Sequence, residues 1–89
     1  MICIKATVHG KVQGVFYREG TRKKARSLNI TGWVKNNDDG TVELFACGDS
    51  EKIKNLIEWL WRGPLLARVE KVDWSEAPEE KQGEFVVLR

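Results

Sequence analysis

Two runs that read as strands, Ile30 to Asn36 and Thr41 to Cys47, are separated only by Asn37-Asp38-Asp39-Gly40. The Asp-Gly pair supplies residues that accept the backbone of a tight turn, so the runs are predicted to fold back on each other as a hairpin. No other pair of elements is so narrowly specified, and the rest of the chain has to be arranged around it.

Upstream, Ile2, Ile4, Ala6 and Val8 alternate with Cys3, Lys5, Thr7 and His9, the pattern of a half-buried strand. A glycine-bearing stretch, Gly10 to Val15, interrupts it. A helix is then predicted from Phe16 or Tyr17 to about Leu28, with a thin apolar face of Tyr17, Ala25 and Leu28. Downstream of the hairpin, Asp49 or Ser50 is placed to cap a second helix. Ile53, Leu56, Ile57 and Leu60 recur there at helical spacing, and Gly63-Pro64 ends it. A strand from about Ala67 to Trp74 follows, with a bulge suggested by the broken alternation at Val69 and Val72. After a polar loop through Pro78 and Gly83 comes a last strand, Phe85 to Arg89. The order strand, helix, strand, strand, helix, strand, strand is that of an α+β ferredoxin-like sandwich. It predicts an antiparallel sheet of four to five strands, two helices on one face and the other face toward water.

With 89 residues the chain is long enough for one core and too short for two, so residues 1–89 are read as a single domain. Hydrophobic residues make up 42% and charged residues 31%, ordinary values for a folded chain. The formal charge of +2 is far from the concentrated positive field of a dedicated nucleic-acid binder, and a small anionic partner fits better. The first residues, Met1-Ile2-Cys3-Ile4-Lys5, are followed at once by polar positions, and no apolar stretch is long enough for a signal sequence or a bilayer span, so the expected address is the cytoplasm and no membrane partner is expected. Cys3 and Cys47 are too far apart for a Cys-x-x-Cys motif and His9 is the lone histidine, so no metal centre is expected.

The chemistry-bearing residues lie in the first loop. Gly10 and Gly14 let backbone N–H groups approach a ligand closely, and the following helix adds the partial positive charge of its N-terminus. Arg18 brings a full charge and a fork of donors to a place where the helix dipole disfavours a cation, which points to something negative in front of it. In the predicted topology the third strand fills the gap between the first two, and Asn36, at the end of the second strand, becomes a neighbour of the loop able to face Arg18.

Gly10-Lys11-Val12-Gln13-Gly14-Val15-Phe16-Tyr17-Arg18, Gly32-Trp33-Val34-Lys35-Asn36 and Asp39-Gly40-Thr41-Val42-Glu43 together resemble the signatures of acylphosphatases. The resemblance continues through Gly63-Pro64 and Ala67-Arg68-Val69 to Phe85 and so covers essentially the whole chain. It implies an enzyme that hydrolyses the carboxyl-phosphate bond of small acyl phosphates, acting as a monomer without metal or cofactor. It places the phosphate on backbone amides of Gln13, Gly14, Val15, Phe16, Tyr17 and Arg18. Arg18 completes that site and Asn36 orients the attacking water. The position of Phe16 is often glycine in relatives, so a requirement for positive φ there would strain this chain. Related domains also occur fused to larger carbamoyl-transferring enzymes; a chain of this length is expected to act alone.

Other features have plainer readings. Arg22, Lys23, Lys24 and Arg26 make a solvated basic face, with at most a minor part in steering anions. Trp33, Trp59, Trp61 and Trp74 are expected to fill core or cover sheet edges. His9 is expected on the exposed strand face. Cys3 and Cys47 fall on neighbouring antiparallel strands and point to the open face, which leaves two readings: a cross-strand disulfide, or the free thiols that a reducing cytoplasm favours. The rival to catalysis is a non-catalytic anion- or RNA-binding module on the same fold, for which the open face offers chiefly Phe45.

Overall fold

The computed structural model describes residues 1–88. Strand β1 runs Ile2–Lys11, helix α1 Tyr17–Ser27, β2 Thr31–Asn36, β3 Val42–Gly48, helix α2 Ser50–Arg62, β4 Arg68–Ala77 and β5 Val86–Val87. The strands form one sheet in the order β4-β1-β3-β2-β5. β3 lies between β1 and β2 and is antiparallel to both, and β4 is antiparallel to β1, which is the βαββαβ ferredoxin-like arrangement.

One expectation changes at the sheet's edge. β5 pairs with β2 in parallel, through Trp33↔Val86 and Val34↔Val87, so the sheet is mixed and not wholly antiparallel. The chain leaves β4 at one edge and crosses to the other through the polar loop, and this crossing sets the direction in which it meets β2. The strand is also shorter than the predicted Phe85–Arg89, whose last residue lies outside the described residues.

The core follows the periodicities. Ile4, Ala6 and Val8 of β1, Val34 of β2, Val42, Leu44 and Ala46 of β3, and Ile53, Leu56 and Leu60 of α2 are buried together between sheet and helices. α2 begins as its sequence requires: the Asp49 carboxylate accepts the Glu51 N–H at 3.0 Å, and Gly63 ends the helix at φ 67°. The inward face of α1 consists of Tyr17, Thr21 and Ala25. Thr21 is the buried residue that the apolar pattern overlooked, because its hydroxyl donates to the Tyr17 carbonyl at 2.8 Å and so carries its own partner inside. The helices come close because Gly20 presents no side chain to Trp59: a Cβ there would lie 3.0 Å from the indole ring.

A bulge occurs in the predicted stretch. The pairing of β1 with β4 steps from His9↔Lys71 to Gly10↔Val69, so Glu70 is the extra residue. Gly10 permits the step, since a Cβ there would meet the Arg68 carbonyl oxygen at 2.1 Å. The bulge carries β1 on to Lys11, two residues past its predicted end.

The sheet face away from the helices is drier than expected. Cys3, Phe45 and Cys47 form a second buried cluster, with Trp33 and Ala77 packed against it. The loop after β4 comes down over it, with the Glu80 carbonyl 3.8 Å from the Cys47 sulfur. Cys3 stands directly opposite Cys47, with Cα atoms 4.0 Å apart, and the two are joined as a disulfide. Of the tryptophans, Trp59 packs against the core and Tyr17, Trp74 lies half exposed on the edge strand β4, and Trp61 stays half exposed on α2.

Candidate active site

The loop between β1 and α1 is held from below. Val12 and Val15 are buried in the core, and Gly14 and Phe16 are displayed at the surface. Gly14 adopts φ 75°, the left-handed conformation that glycine takes without steric cost. Phe16 is also left-handed, at φ 64°, and serves as the N-cap of α1 with its ring 77% exposed. The strain foreseen for phenylalanine is therefore present. Phe16 makes no side-chain capping bond, so the first amides of α1 have no capping partner of their own. Free amides at a helix N-terminus form an anion-binding device.

Gln13 also acts through its side chain. Its side-chain amide donates to the Asn37 carbonyl at 2.8 Å and to the Thr41 carbonyl at 2.9 Å. It thus ties the loop to the hairpin turn immediately after Asn36. The turn is braced in its own right: the Asp39 carboxylate accepts from the Thr41 N–H at 3.0 Å and from its hydroxyl at 2.7 Å. These two bonds hold the Asp39 carboxyl below its usual range. They also explain why β3 starts at Val42 and not at Thr41, whose polar groups are used in the turn.

Arg18 is the second residue of α1, and its guanidinium donates to the Leu88 carbonyl at 3.0 Å. The Leu88 N–H in turn donates to the Val34 carbonyl at 2.8 Å, two residues before Asn36 on β2. The C-terminal segment therefore locates Arg18 relative to β2, a role no sequence signal announced. Glu19 receives Arg22, with Nε to Oε1 at 2.8 Å, and this ion pair depresses the Glu19 carboxyl. Below the loop, Tyr17 is buried and donates its hydroxyl to the Leu60 carbonyl at 2.6 Å, joining the start of α1 to α2; burial pushes its phenol well above the ordinary value.

Asn36 closes β2 opposite Val42. Its side-chain carbonyl oxygen is buried and has no hydrogen-bond partner among the described residues. A buried acceptor left unpaired costs about 1 kcal/mol or more, so its persistence points to a use outside the fold.

A cleft of about 330 Å³ opens beside the loop, lined by Gly14, Phe16, Tyr17, Arg18, Glu19 and Val87. Gln13, Val15 and Asn36 do not line it. His9 faces Asp73 at 3.3 Å on the strand surface. No group of three or more His, Cys, Asp or Glu able to hold a metal occurs among the described residues. No helix among them is long and apolar enough to cross a membrane. Phe45, the aromatic a base-stacking surface would need, is buried in the second cluster and faces Trp33, with ring centroids 6.4 Å apart.

The molecule is a ferredoxin-like α+β domain whose first loop is glycine-bearing, tied to the central hairpin and followed by an uncapped helix with arginine in its first turn. The acylphosphatase family model matches residues 4–87. An acylphosphatase of Coxiella burnetii (strain Dugway) is 56% identical over 85 residues, 96% of this chain and 90% of that protein. The structure of a Coxiella burnetii acylphosphatase superposes with a TM-score of 0.95 at 54% identity, covering 98% of this chain and 92% of the other. That of Bacillus subtilis acylphosphatase gives 0.97 at 30% identity over the full length of both. The chain belongs to the acylphosphatase family of enzymes.

Proposed function

We propose that the protein hydrolyses the carboxyl-phosphate bond of small acyl phosphates without a metal, with Arg18 binding the phosphoryl group and Asn36 orienting the attacking water. The observation that carries this reading is the buried, unpartnered carbonyl of Asn36 next to a turn to which Gln13 ties the phosphate loop. A neutral amide is no base at ordinary pH, but its carbonyl accepts a hydrogen bond from water and so fixes the line of attack.

The phosphoryl group is received by the loop amides from Gln13 to Arg18 and by the Arg18 guanidinium. Loose phosphoryl transfer leaves negative charge on the equatorial and leaving oxygens, where fixed donors stabilise it without reorganising. The departing carboxylate is the base of an acid with a pKa near 4, as for Glu (about 4.3), so it needs no general acid. The water's proton passes to a phosphoryl oxygen of the substrate. The rate profile should accordingly lack a limb that tracks a protein group such as His9.

The protein is proposed to act as a monomer in the cytoplasm, with no nucleic-acid partner. A cytoplasmic address requires activity with Cys3 and Cys47 reduced, because that compartment holds thiols open.

The test is benzoyl phosphate hydrolysis, followed by absorbance with chelator present, for the parent and for Arg18→Ala and Asn36→Ala. Activity that survives chelation and falls by about 100-fold or more in both folded variants is expected, the loss of a main transition-state contact. A parent inactive under chelation, or variants that match it, would overturn the mechanism.

A further inference from the structure

We propose that Phe16 and Val87 form an acyl-binding wall that selects uncharged, apolar acyl phosphates, aromatic ones foremost; this rests on the reading of the site given above. Both residues line the cleft that also holds Arg18, and the cleft's volume of about 330 Å³ is at the lower end for small-molecule sites, about 300 Å³. In-line displacement sends the acyl group away from the attacking water. Asn36, which places that water, is not part of the cleft wall, so the cleft is where the acyl group departs.

Phe16 is an unusual residue to find there. Its neighbours Val15 and Tyr17 are buried, while its own ring is 77% exposed on a left-handed backbone. Glycine would meet that φ at no steric cost, whereas a side chain pays roughly 1 kcal/mol. The fold gains no packing from so exposed a ring, which leaves a ligand as the beneficiary of keeping it. Val87 is held in the same cleft by the pairing of β5 with β2 and by the bond from Arg18 to the adjacent Leu88 carbonyl. The apolar wall and the phosphate-binding arginine are thus fixed to one another.

Charge narrows the choice further. Glu19 lines the same cleft, and its pairing with Arg22 keeps it anionic. An acyl group bearing its own carboxylate would bring like charge to that wall.

The experiment compares kcat/KM for benzoyl, acetyl, butyryl and succinyl phosphates in the parent, Phe16→Gly, Val87→Thr and Glu19→Gln. The parent is expected to favour benzoyl over acetyl phosphate by about tenfold, mostly through KM, as an aromatic contact of this kind supplies. Phe16→Gly should remove most of that ratio, whatever happens to the factor common to both substrates. Val87→Thr, which keeps shape and removes apolar character, should reduce it in the same direction and decides the matter if the glycine variant does not fold. Glu19→Gln should raise succinyl relative to butyryl phosphate about threefold and leave the benzoyl to acetyl ratio alone. An active parent whose ratios do not move in these variants overturns the acyl wall while leaving the hydrolytic reading intact. A parent inactive on all four substrates overturns both.

Discussion

Asn36 holds a buried carbonyl that the fold does not satisfy, and that single atom separates function from stability at this position. Replacing it with an apolar residue of similar volume removes an unpaired acceptor, which is worth about 1 kcal/mol or more. Asn36→Leu is therefore expected to melt at or above the parent's Tm while losing hydrolysis by about 100-fold or more. A fall of several degrees in Tm would mean that the carbonyl is satisfied in solution by something the fold needs. Asn36 was legible in the sequence only through its block, because asparagine before a turn is common and its burial depends on strands that the motif does not contain. Phe16 was legible as a source of strain, but its exposure and its place in a cleft wall were not.

The hairpin that constrains the chain from the start is also the element that holds the loop before α1, since Gln13 anchors that loop to its turn through two carbonyls. The turn is clasped by Asp39, and the Thr41 hydroxyl and N–H it accepts, in that order, lower its carboxyl in the folded state. The sign follows directly. A folded pKa below the unfolded one means that the unfolded chain binds more protons in the acid range. The contribution of Asp39 is then complete above the unfolded value, about 4, and is lost as pH falls through the lower folded value. Urea melts from neutral to acid pH should show the stability gap between the parent and Asp39→Asn shrinking below about pH 4. A gap that stays constant would show that protonation of Asp39 is not linked to folding. Element boundaries were the less legible part. β1 outran its predicted end because a bulge at Glu70 let pairing continue past Gly10, and the partner strand's register is not written in β1.

On the scale of the whole molecule, the proposed site and the disulfide occupy opposite faces of the sheet. The loop, α1 and the cleft belong to the helix side and its rim, whereas Cys3 and Cys47 lie in the separate cluster with Phe45 and Trp33. The bridge spans a sequence separation of 44, and closing a loop of that length is worth about 4 kcal/mol in the chain-entropy account. Reduction is expected to lower the unfolding free energy by an amount of that order, read as a fall of roughly 2 M or more in the urea midpoint at an m-value of about 1–2 kcal/mol per M, and to leave kcat/KM for benzoyl phosphate within about twofold at temperatures where the reduced protein stays folded. A midpoint unaffected by reductant would deny the bridge its stabilising role; activity lost from a reduced but folded protein would show that the two faces are coupled.

Local patterns were enough for much of this. Period-two and helical spacing, the Asp-Gly turn, the Asp49 cap and Gly63 determined which segments are strands and helices, because each depends on neighbours within a few residues. The acylphosphatase signatures in turn marked Arg18 and Asn36 as the residues to examine. What only the tertiary structure decided are relations between distant segments: β5 joining β2 in parallel, the Leu88 carbonyl holding Arg18, the Gln13 side chain serving as a tie, and Val87 lining one cleft with Phe16. Their physical origin is chain crossing and sheet closure, which select partners by position in space and leave no mark on the local spacing of residues.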